Sequence, residues 1–320
     1  MNLSFDDIPE IEDVQQRLND ADPEVRRIAV MDLVEIYEDG CIQLAIKALS
    51  DPDAGVRKQA AQALEEFEGE EVITALLDAL SDDDAEVRAT AAETLAENKD
   101  PVAGRMLLEK VGDEDVFVKA SCLRALRELR LPESQAPALD ALTHPDPAVR
   151  REAVGVLAYL KTDNVLMALM DTARNDSDPF VRRVAMGSLV FSKNPKAGET
   201  LIGGLQDENW QVREEAAFVM GKVGFTGGID ALIDVMNDEY WQVRLKAAGS
   251  LGKLKTEQAV DVLGQALSYS ISNLRKEAAA ALGEIASPAG LPYLRTALED
   301  VDPDVRKIAQ WAIEQAEKAG

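Results

Sequence analysis

The chain has few of the residues from which catalytic and metal sites are usually built. Its 320 residues include one histidine, His144, and two cysteines, Cys41 and Cys122. The cysteines stand far apart and in no CxxC spacing, so neither a disulfide framework nor a zinc site is indicated. A serine or cysteine nucleophile would depend on His144 alone, and GFTGGID at 224–230 lacks the Gly-Lys-Ser ending of a phosphate-binding loop. The sequence therefore favours a protein that is not an enzyme and holds no metal or cofactor.

Positive charge and long apolar runs are also scarce. The chain has 34 Lys and Arg against 59 Asp and Glu, which gives a formal net charge of -25. Nucleic-acid binders gain affinity from cations that neutralise phosphates, so nucleic acids and anionic membranes are disfavoured as partners. No apolar run approaches the roughly 18 residues that a membrane span requires. The start, MNLSFDDIPEIEDV, lacks the basic-then-apolar pattern of a signal peptide, so we expect a cytoplasmic protein.

What the sequence has in abundance is one repeated unit. A Val-Arg pair or a close variant recurs every 31 residues, with a single interval of 32. We expect the extra residue in the loop ARNDSDPF. The pattern predicts one solenoid domain over 1–320 with a terminal cap at about 303–320. The first residues of the ten pairs are Val25, Val56, Val87, Val118, Val149, Val181, Val212, Val243, Leu274 and Val305.

Each copy has the sequence of a helix pair. In most copies an aspartate three residues before the Val-Arg pair supplies a helix N-cap, and proline often follows it. Small or apolar residues four and eight after the valine form one helical stripe, which includes Cys122. Neither helix can bury its stripe alone. The prediction is therefore an all-α, right-handed α-solenoid of about ten stacked helix hairpins.

Two loop features complete the repeat. The arginine after the valine recurs with the cap aspartate, and we interpret the pair as a ladder that links neighbouring copies and satisfies loop carbonyls. His144 occupies the position of a loop aspartate in other copies, so we expect it in a loop. Cys41, like Cys122, is expected to be a small buried side chain.

The pattern D-P-x-V-R-x-x-A-x-x-x-L, closing in LGKL or LGEI, resembles the short HEAT-like repeats of the phycobilisome (bilin) lyase type. The resemblance covers residues 8 to 318 and implies an armadillo-like solenoid. Relatives of this repeat include bilin lyase subunits, a di-iron hydroxylase, DNA-repair proteins and binding scaffolds. One histidine cannot supply the hydroxylase's His-Glu pairs, and an acidic chain lacks the basic grooves of the DNA-repair proteins.

Two interpretations of function are left by this comparison. The first is a non-catalytic protein-binding scaffold or assembly helper that engages a partner through its concave face. The alternative is a cofactor-handling protein, either a bilin lyase subunit or a helper in metallocofactor or iron-sulfur assembly. Its partner would then be a tetrapyrrole- or metallocofactor-related protein.

The copies differ from one another most in the later part of the chain. Trp210 and Trp241 follow the cap position in two adjacent copies, and Tyr240 and Ile271 replace the cap aspartate itself. Tyr269 replaces another loop aspartate. Giving up an N-cap costs about 0.5–2 kcal/mol, so we expect something to offset the change.

The position six after the valine also varies, and it lies on the helix face that lines the concave side in this repeat family. It is glycine in three copies, Gly155, Gly187 and Gly249. Because glycine inside a helix costs about 1 kcal/mol relative to alanine, we interpret these glycines as leaving room for a partner.

These departures predict a concave partner-binding patch over copies five to nine. Tryptophan, tyrosine and arginine are enriched at binding hot spots. The alternative is that Trp210 and Trp241 pack on each other and fill grooves between copies. The predicted patch consists of Phe180, Trp210, Phe218, Tyr240, Trp241, Tyr269, Arg151 and Arg183.

Overall fold

The computed structural model of the chain describes residues 11–36, 40–99, 101–192 and 194–319. The regular structure in these ranges is entirely helical, with twenty α-helices, short 3-10 turns and no strand. This confirms the predicted all-α solenoid class. The chain forms two compact units, residues 1–160 and 161–320.

The first unit is a stack of helix pairs. Its even-numbered helices pack against one another in chain order, and each odd-numbered helix packs against the even-numbered helix that follows it. The helices are α1 (Ile11–Arg17), α2 (Pro23–Ile36), α3 (Cys41–Ala48), α4 (Ala54–Ala63), α5 (Glu70–Ala79), α6 (Ala85–Glu97), α7 (Pro101–Lys110), α8 (Val116–Leu129), α9 (Gln135–Ala141) and α10 (Pro147–Leu157).

The second unit has the same arrangement of odd-numbered and even-numbered helices. Its helices are α11 (Asp163–Asn175), α12 (Pro179–Ser188), α13 (Pro195–Gly204), α14 (Trp210–Val223), α15 (Ile229–Asp234), α16 (Trp241–Lys253), α17 (Val260–Ala266), α18 (Ser272–Ile285), α19 (Leu291–Ala297) and α20 (Pro303–Ala319).

The loop expected at ARNDSDPF is shorter than predicted. Helix α11 continues through Asn175, so the first three residues of that stretch are helical. The Asp176 N-H donates to Thr172 O over 3.1 Å and closes the last turn. The copy with the extra residue therefore has a longer first helix, because continuing a helix satisfies backbone groups that a longer loop would leave to solvent.

The predicted apolar stripes form the core. The residue four after each valine is fully buried, as are most residues eight after it. Cys41 and Cys122 are both buried, as expected. Burial raises the pKa of the Cys122 thiol to about 12, so this side chain is a protonated packing group at neutral pH. The residues four after the valine are Ala29, Ala60, Ala91, Cys122, Ala153, Ala185, Ala216, Ala247, Ala278 and Ala309.

The predicted helix caps are also present. In the second unit, Asp178 accepts hydrogen bonds from the N-H groups of Phe180 and Val181, and Asn209 accepts from Gln211 N-H. In the first unit, His144 lies in a loop, where its Nδ1 accepts from Asp146 N-H at 3.1 Å. Loop aspartates of other copies accept the equivalent bond, so His144 serves there as a local acceptor.

Candidate functional site

The arginine-aspartate ladder runs along the loops between repeats. Arg213 Nε and Nη2 bind the Asp238 carboxylate at 2.7 and 3.0 Å, and Nη1 donates to Asp207 O at 2.9 Å. A ladder between neighbouring copies that also satisfies loop carbonyls is thus present at this rung, but the prediction of the cap aspartate as the partner is wrong. The partner is the loop aspartate two residues before the cap position. Both side chains of this rung are largely buried, which makes the bidentate pair strong. Equivalent rungs are Arg26–Asp51, Arg57–Asp82, Arg182–Asp207 and Arg275–Asp300.

The rung that follows Arg213–Asp238 has no carboxylate. Tyr269 stands in the aspartate position, and the Arg244 guanidinium carbon lies 4.8 Å from the centroid of its ring. The Tyr269 hydroxyl donates to Met236 O at 3.4 Å. Arg244 Nε and Gln242 Oε1 are buried and have no hydrogen-bond partner among the described residues. A buried polar group without a partner lowers stability, so this rung is weaker than its neighbours.

Two adjacent helices of the second unit begin without a side-chain cap. Tyr240 and Ile271 occupy the cap positions of α16 and α18, and neither side chain accepts a bond from the helix. This confirms that the cap is lost at both positions. The first N-H groups of these helices therefore lack the side-chain acceptor that Asn209 provides for α14.

The aromatic residues at these helix starts form what we call the aromatic edge, namely Trp210, Tyr240, Trp241 and Tyr269. The Trp210 and Tyr240 rings stack with centroids 5.3 Å apart and an interplanar angle of 12°. The Arg213 guanidinium lies 5.7 Å from the Tyr240 ring centroid. Tyr240 is 39% exposed, and both indoles are half-buried. The stacking partner of Trp210 is thus Tyr240 and not the other indole.

Phe218 has different surroundings. It lies eight residues after Trp210 on α14, about 12 Å along the helix axis. The Nζ atoms of Lys222, Lys246 and Lys253 lie 5.6, 5.5 and 5.7 Å from its ring centroid. We call Phe218 and these three residues the lysine cluster.

Sequence reasoning missed the three lysines, although a signal was present. Lys222 lies one helical turn after Phe218 on the same helix. Lys246 and Lys253 lie three residues before and four after Gly249, which occupies the position of Phe218 in the next copy. Positions three and four apart on a helix share a face, so stacking the two copies brings the three ammonium groups to one ring.

The space beside Gly155, Gly187 and Gly249 is occupied by side chains of neighbouring copies. The interpretation that these glycines leave room for a partner is therefore wrong. A Cβ atom at Gly187 would lie 3.0 Å from Glu215 Oε1, and one at Gly249 would collide with the Glu277 carboxylate. In the first unit, a Cβ atom at Gly155 would lie 3.1 Å from Arg127 Cδ. The glycines admit long charged side chains from neighbouring copies, a contact that the sequence of a single copy does not reveal.

Two of these charged side chains have unusual carboxyl groups. Burial raises the pKa of Glu215, and the charge of Arg183, whose Nε lies 3.7 Å from Glu215 Oε2, opposes the increase. Burial likewise raises the pKa of Glu277, opposed by the charges of Lys253 and Lys246. Both glutamates are therefore harder to ionise than a surface carboxyl group.

The remaining predicted residues are Phe180, Arg183 and Arg151. Phe180, near the start of α12, is 48% exposed. Arg183 contacts Glu215 as described above. Arg151 belongs to the first unit, where its Nε lies 3.9 Å from Glu152 Oε1. The structure thus joins Trp210 to Tyr240 and places Phe218 among lysines.

Two further features bear on function. In the ranges that the structure describes, no group of three or more histidine, cysteine, aspartate or glutamate side chains is placed to hold a metal ion. Within the same ranges, every helix is too short or too polar to cross a membrane.

The sequence matches a family model for HEAT repeats in five overlapping segments. They span residues 11–96, 73–144, 136–221, 198–270 and 229–314. No curated protein sequence matches the chain significantly.

Solved structures with the same fold are similar over most of the chain. An engineered protein is 22% identical with a TM-score of 0.51, covering 96% of this chain and 98% of its own. YibA of E. coli is 20% identical with a TM-score of 0.64, covering 84% of this chain and 99% of its own. Kap95, solved in complex with Nup1, is 13% identical with a TM-score of 0.66, covering 97% of this chain and 50% of its own. The chain spans about half of Kap95, and these likenesses establish the α-solenoid fold.

Proposed function

Because the chain belongs to the HEAT-repeat family, we propose that it is a non-catalytic scaffold that binds a protein partner through the aromatic edge of its second unit. Kap95, which has the same fold, was solved in complexes with RanGDP and with Nup1. Protein binding is thus a use to which this fold is put. The proposal for this chain rests on its own residues.

The observation that carries the proposal is the Trp210–Tyr240 stack at the start of two repeats. At the position of Tyr240 most other copies have a capping aspartate or asparagine, which exposes no aromatic surface. At α16 the cap is replaced by the Tyr240 ring, which remains 39% exposed after stacking on Trp210, the first residue of the capped helix α14. Ring stacking and the nearby Arg213 return part of the lost capping energy. The exposed ring surface is the kind of rigid anchor that dominates protein interfaces.

Two unpaired polar atoms of α16, the helix that follows Tyr240, are a second argument for this surface. Arg244 Nε and Gln242 Oε1 are buried and lack partners among the described residues. Leaving them unpaired costs stability, which indicates that the residues of this edge are not optimised for the stability of the fold alone. Phe180, Phe218 and Arg183 belong to the proposed surface as its extension within the second unit, and Arg151 is a separate candidate binding residue of the first unit.

The test compares the partners captured by the wild-type protein and by two double variants. The first carries Trp210→Ala and Tyr240→Ala. The control carries Phe117→Ala and Trp311→Ala, which remove two exposed rings outside the aromatic edge. We expect the first variant to lose a protein that the wild type and the control both retain, with helicity unchanged by circular dichroism. Retention of every partner by the first variant would refute the proposal.

The resemblance to bilin lyase repeats leaves a more specific alternative. No contact among the described residues favours tetrapyrrole or cluster handling, and the absorption spectrum of the purified protein tests it directly. A visible band that follows the protein through purification would support that alternative. The cytoplasmic location remains part of the proposal and is tested by cell fractionation.

A further inference from the structure

The lysine cluster brings three lysines of this acidic chain to one aromatic ring. Lys58, Lys110 and Lys276 each have a carboxylate within 4.0 Å, at 2.7, 3.8 and 3.7 Å. The three lysines around Phe218 have no such ion pair among the described residues, although 59 acidic residues are available in the chain. Three like charges thus lie around one ring without an ion pair within 4.0 Å among the described residues.

The aromatic ring does not by itself account for the cluster. A cation is attracted to the face of a ring, and a ring has two faces, so three ammonium groups cannot all gain the full interaction. Mutual repulsion between the lysines opposes the gathering. Lys222 and Lys253 are exposed, and Phe218 and Lys246 are half-buried, so a ligand in solvent can reach all four side chains.

Two glutamates lie near this face, and the charge of Lys246 acts on both of them, although neither forms an ion pair with the cluster within 4.0 Å. Glu215 lies against the backbone of Gly187, and Glu277 lies against that of Gly249. Gly249 is on α16, three residues after Lys246 and four before Lys253. A side chain at position 249 would displace the Glu277 carboxylate. Glycine there admits the carboxylate against the helix, where the charges of Lys246 and Lys253 act on it without forming an ion pair within 4.0 Å, so each ammonium group can still pair with another anion.

We infer that the lysine cluster binds an acidic segment of the protein partner, in which carboxylates alternate with large apolar side chains. The carboxylates pair with Lys222, Lys246 and Lys253, and an apolar side chain contacts Phe218. This inference rests on the proposed function and names the chemistry of the partner. A short acidic segment fits better than a nucleic acid, because a long polyanion would meet the repulsion of a chain with net charge -25.

The direct test is fluorescence anisotropy with a short labelled peptide of alternating glutamate and leucine. The control peptide has glutamine in place of glutamate. We expect the acidic peptide to bind, and its affinity to fall as added salt screens the charges. The control peptide should bind at least about tenfold more weakly. Equal binding of the two peptides would overturn the inference.

Matched variants locate the site. Lys222→Gln, Lys246→Gln and Lys253→Gln together should weaken acidic-peptide binding by about tenfold or more, because three ion pairs are lost. The control triple, Lys58→Gln, Lys110→Gln and Lys196→Gln, changes the net charge equally and should leave affinity within about twofold. The triple replacement by arginine retains the charges and should retain binding. Equal losses in the two glutamine variants would show general attraction only and would refute the site.

Two further measurements separate other occupants. A single-stranded DNA oligonucleotide of the same charge should bind more weakly than the peptide, and equal or tighter binding would overturn the choice of partner. Sedimentation should show that the cluster variant and the wild type have the same oligomeric state. A dimer that the cluster variant abolishes would identify a second copy as the occupant and refute the inference.

Capture of the natural partner distinguishes this inference from the proposed function. A partner lost by the Trp210 and Tyr240 variant but retained by the lysine-cluster variant would refute the inference alone. A partner retained by both would refute both, and loss from both would support both.

Discussion

Two neighbouring rungs of the second unit differ in one residue. In the first, Arg213 binds the Asp238 carboxylate through two hydrogen bonds. In the next, Tyr269 replaces the aspartate, and Arg244 lies over its ring with a buried, unpaired Nε. The second rung thus has a cation-π contact where the first has an ion pair with two hydrogen bonds.

The packing beneath the two rungs is nevertheless the same. Ala216 and Ala247, four residues after the valine in each copy, are both 0% exposed, as are Met220 and Leu251 four residues later. The core of a repeat therefore tolerates changes at its loop edge. This separation allows one pair of copies to carry rings and unpaired polar groups without losing the solenoid.

The largest expected effect comes from removing the arginine of each rung. Arg213→Ala should lower the free energy of unfolding by about 3 kcal/mol, because it leaves the Asp238 carboxylate buried without its partner. Arg244→Ala should cost only about 1 kcal/mol, since no carboxylate is left behind. Urea unfolding followed by tryptophan fluorescence measures both. All three tryptophans lie in the second unit, so the signal reports on it. Equal losses would mean that the two rungs are energetically alike.

A smaller effect is expected from restoring the missing carboxylate. In a double-mutant cycle, Arg244→Ala and Tyr269→Asp should show a coupling of about 1–2 kcal/mol, because the introduced aspartate pairs with Arg244 as Asp238 pairs with Arg213. The single variant Tyr269→Phe is the control, and it should couple weakly because the ring contact is retained. A coupling near zero for Tyr269→Asp would show that Arg244 cannot reach the carboxylate position.

The helix caps next to these rungs give a still smaller difference. Asn209→Ala should cost about 1 kcal/mol, because it removes the acceptor for Gln211 N-H. Ile271→Asn should gain about 0.5 kcal/mol, because it supplies a missing cap to α18 at the expense of a half-buried apolar side chain. Thermal unfolding measures both shifts. A loss on Ile271→Asn would show that the isoleucine contributes more through packing than a cap would.

The smallest effects concern pH, and the two types of carboxyl group should respond in opposite directions. The hydrogen bond from Arg275 holds the pKa of Asp300 below its ordinary value. Its stabilising contribution is therefore present above the ordinary pKa of aspartate and is lost as pH falls through the lowered value. Burial raises the pKa of Glu277, so its ionised form destabilises the fold at neutral pH, and this cost is relieved as pH falls through the raised value.

Variants of these two groups test the signs. Asp300→Asn should reduce stability at neutral pH and make unfolding less sensitive to acid. Glu277→Gln should raise stability slightly at neutral pH and remove the gain on mild acidification. Urea unfolding at several pH values measures both, and a loss of neutral-pH stability in Glu277→Gln would show that its attraction to Lys246 and Lys253 outweighs the cost of burial.

Most of the fold could be predicted from the sequence, because the same pattern of caps and apolar residues recurs in each copy. The alanine and leucine stripes, the caps such as Asp178 and the losses at Tyr240 and Ile271 all follow from local rules that act within one helix or loop. The extension of α11 was missed, because helix ends depend on which backbone groups find partners.

The candidate site was less predictable. The sequence singled out Trp210, Tyr240 and Phe218 as departures from the repeat, but it could not tell that Trp210 stacks on Tyr240 or that Phe218 lies among lysines. It also misjudged Gly187 and Gly249, whose missing side chains are filled by Glu215 and Glu277. Each error concerns a contact between copies, where side chains some 28 residues apart in sequence meet.

The sequence by itself determined the helix pairs, their starts and their buried stripes, since propensity, capping and apolar periodicity are properties of short segments. Only the tertiary structure decided which carboxylate each arginine binds, that Tyr269 leaves Arg244 without one, and that three lysines converge on Phe218. The physical reason is that stacking sets the register between adjacent helices, and this register determines which charges and rings come within contact distance.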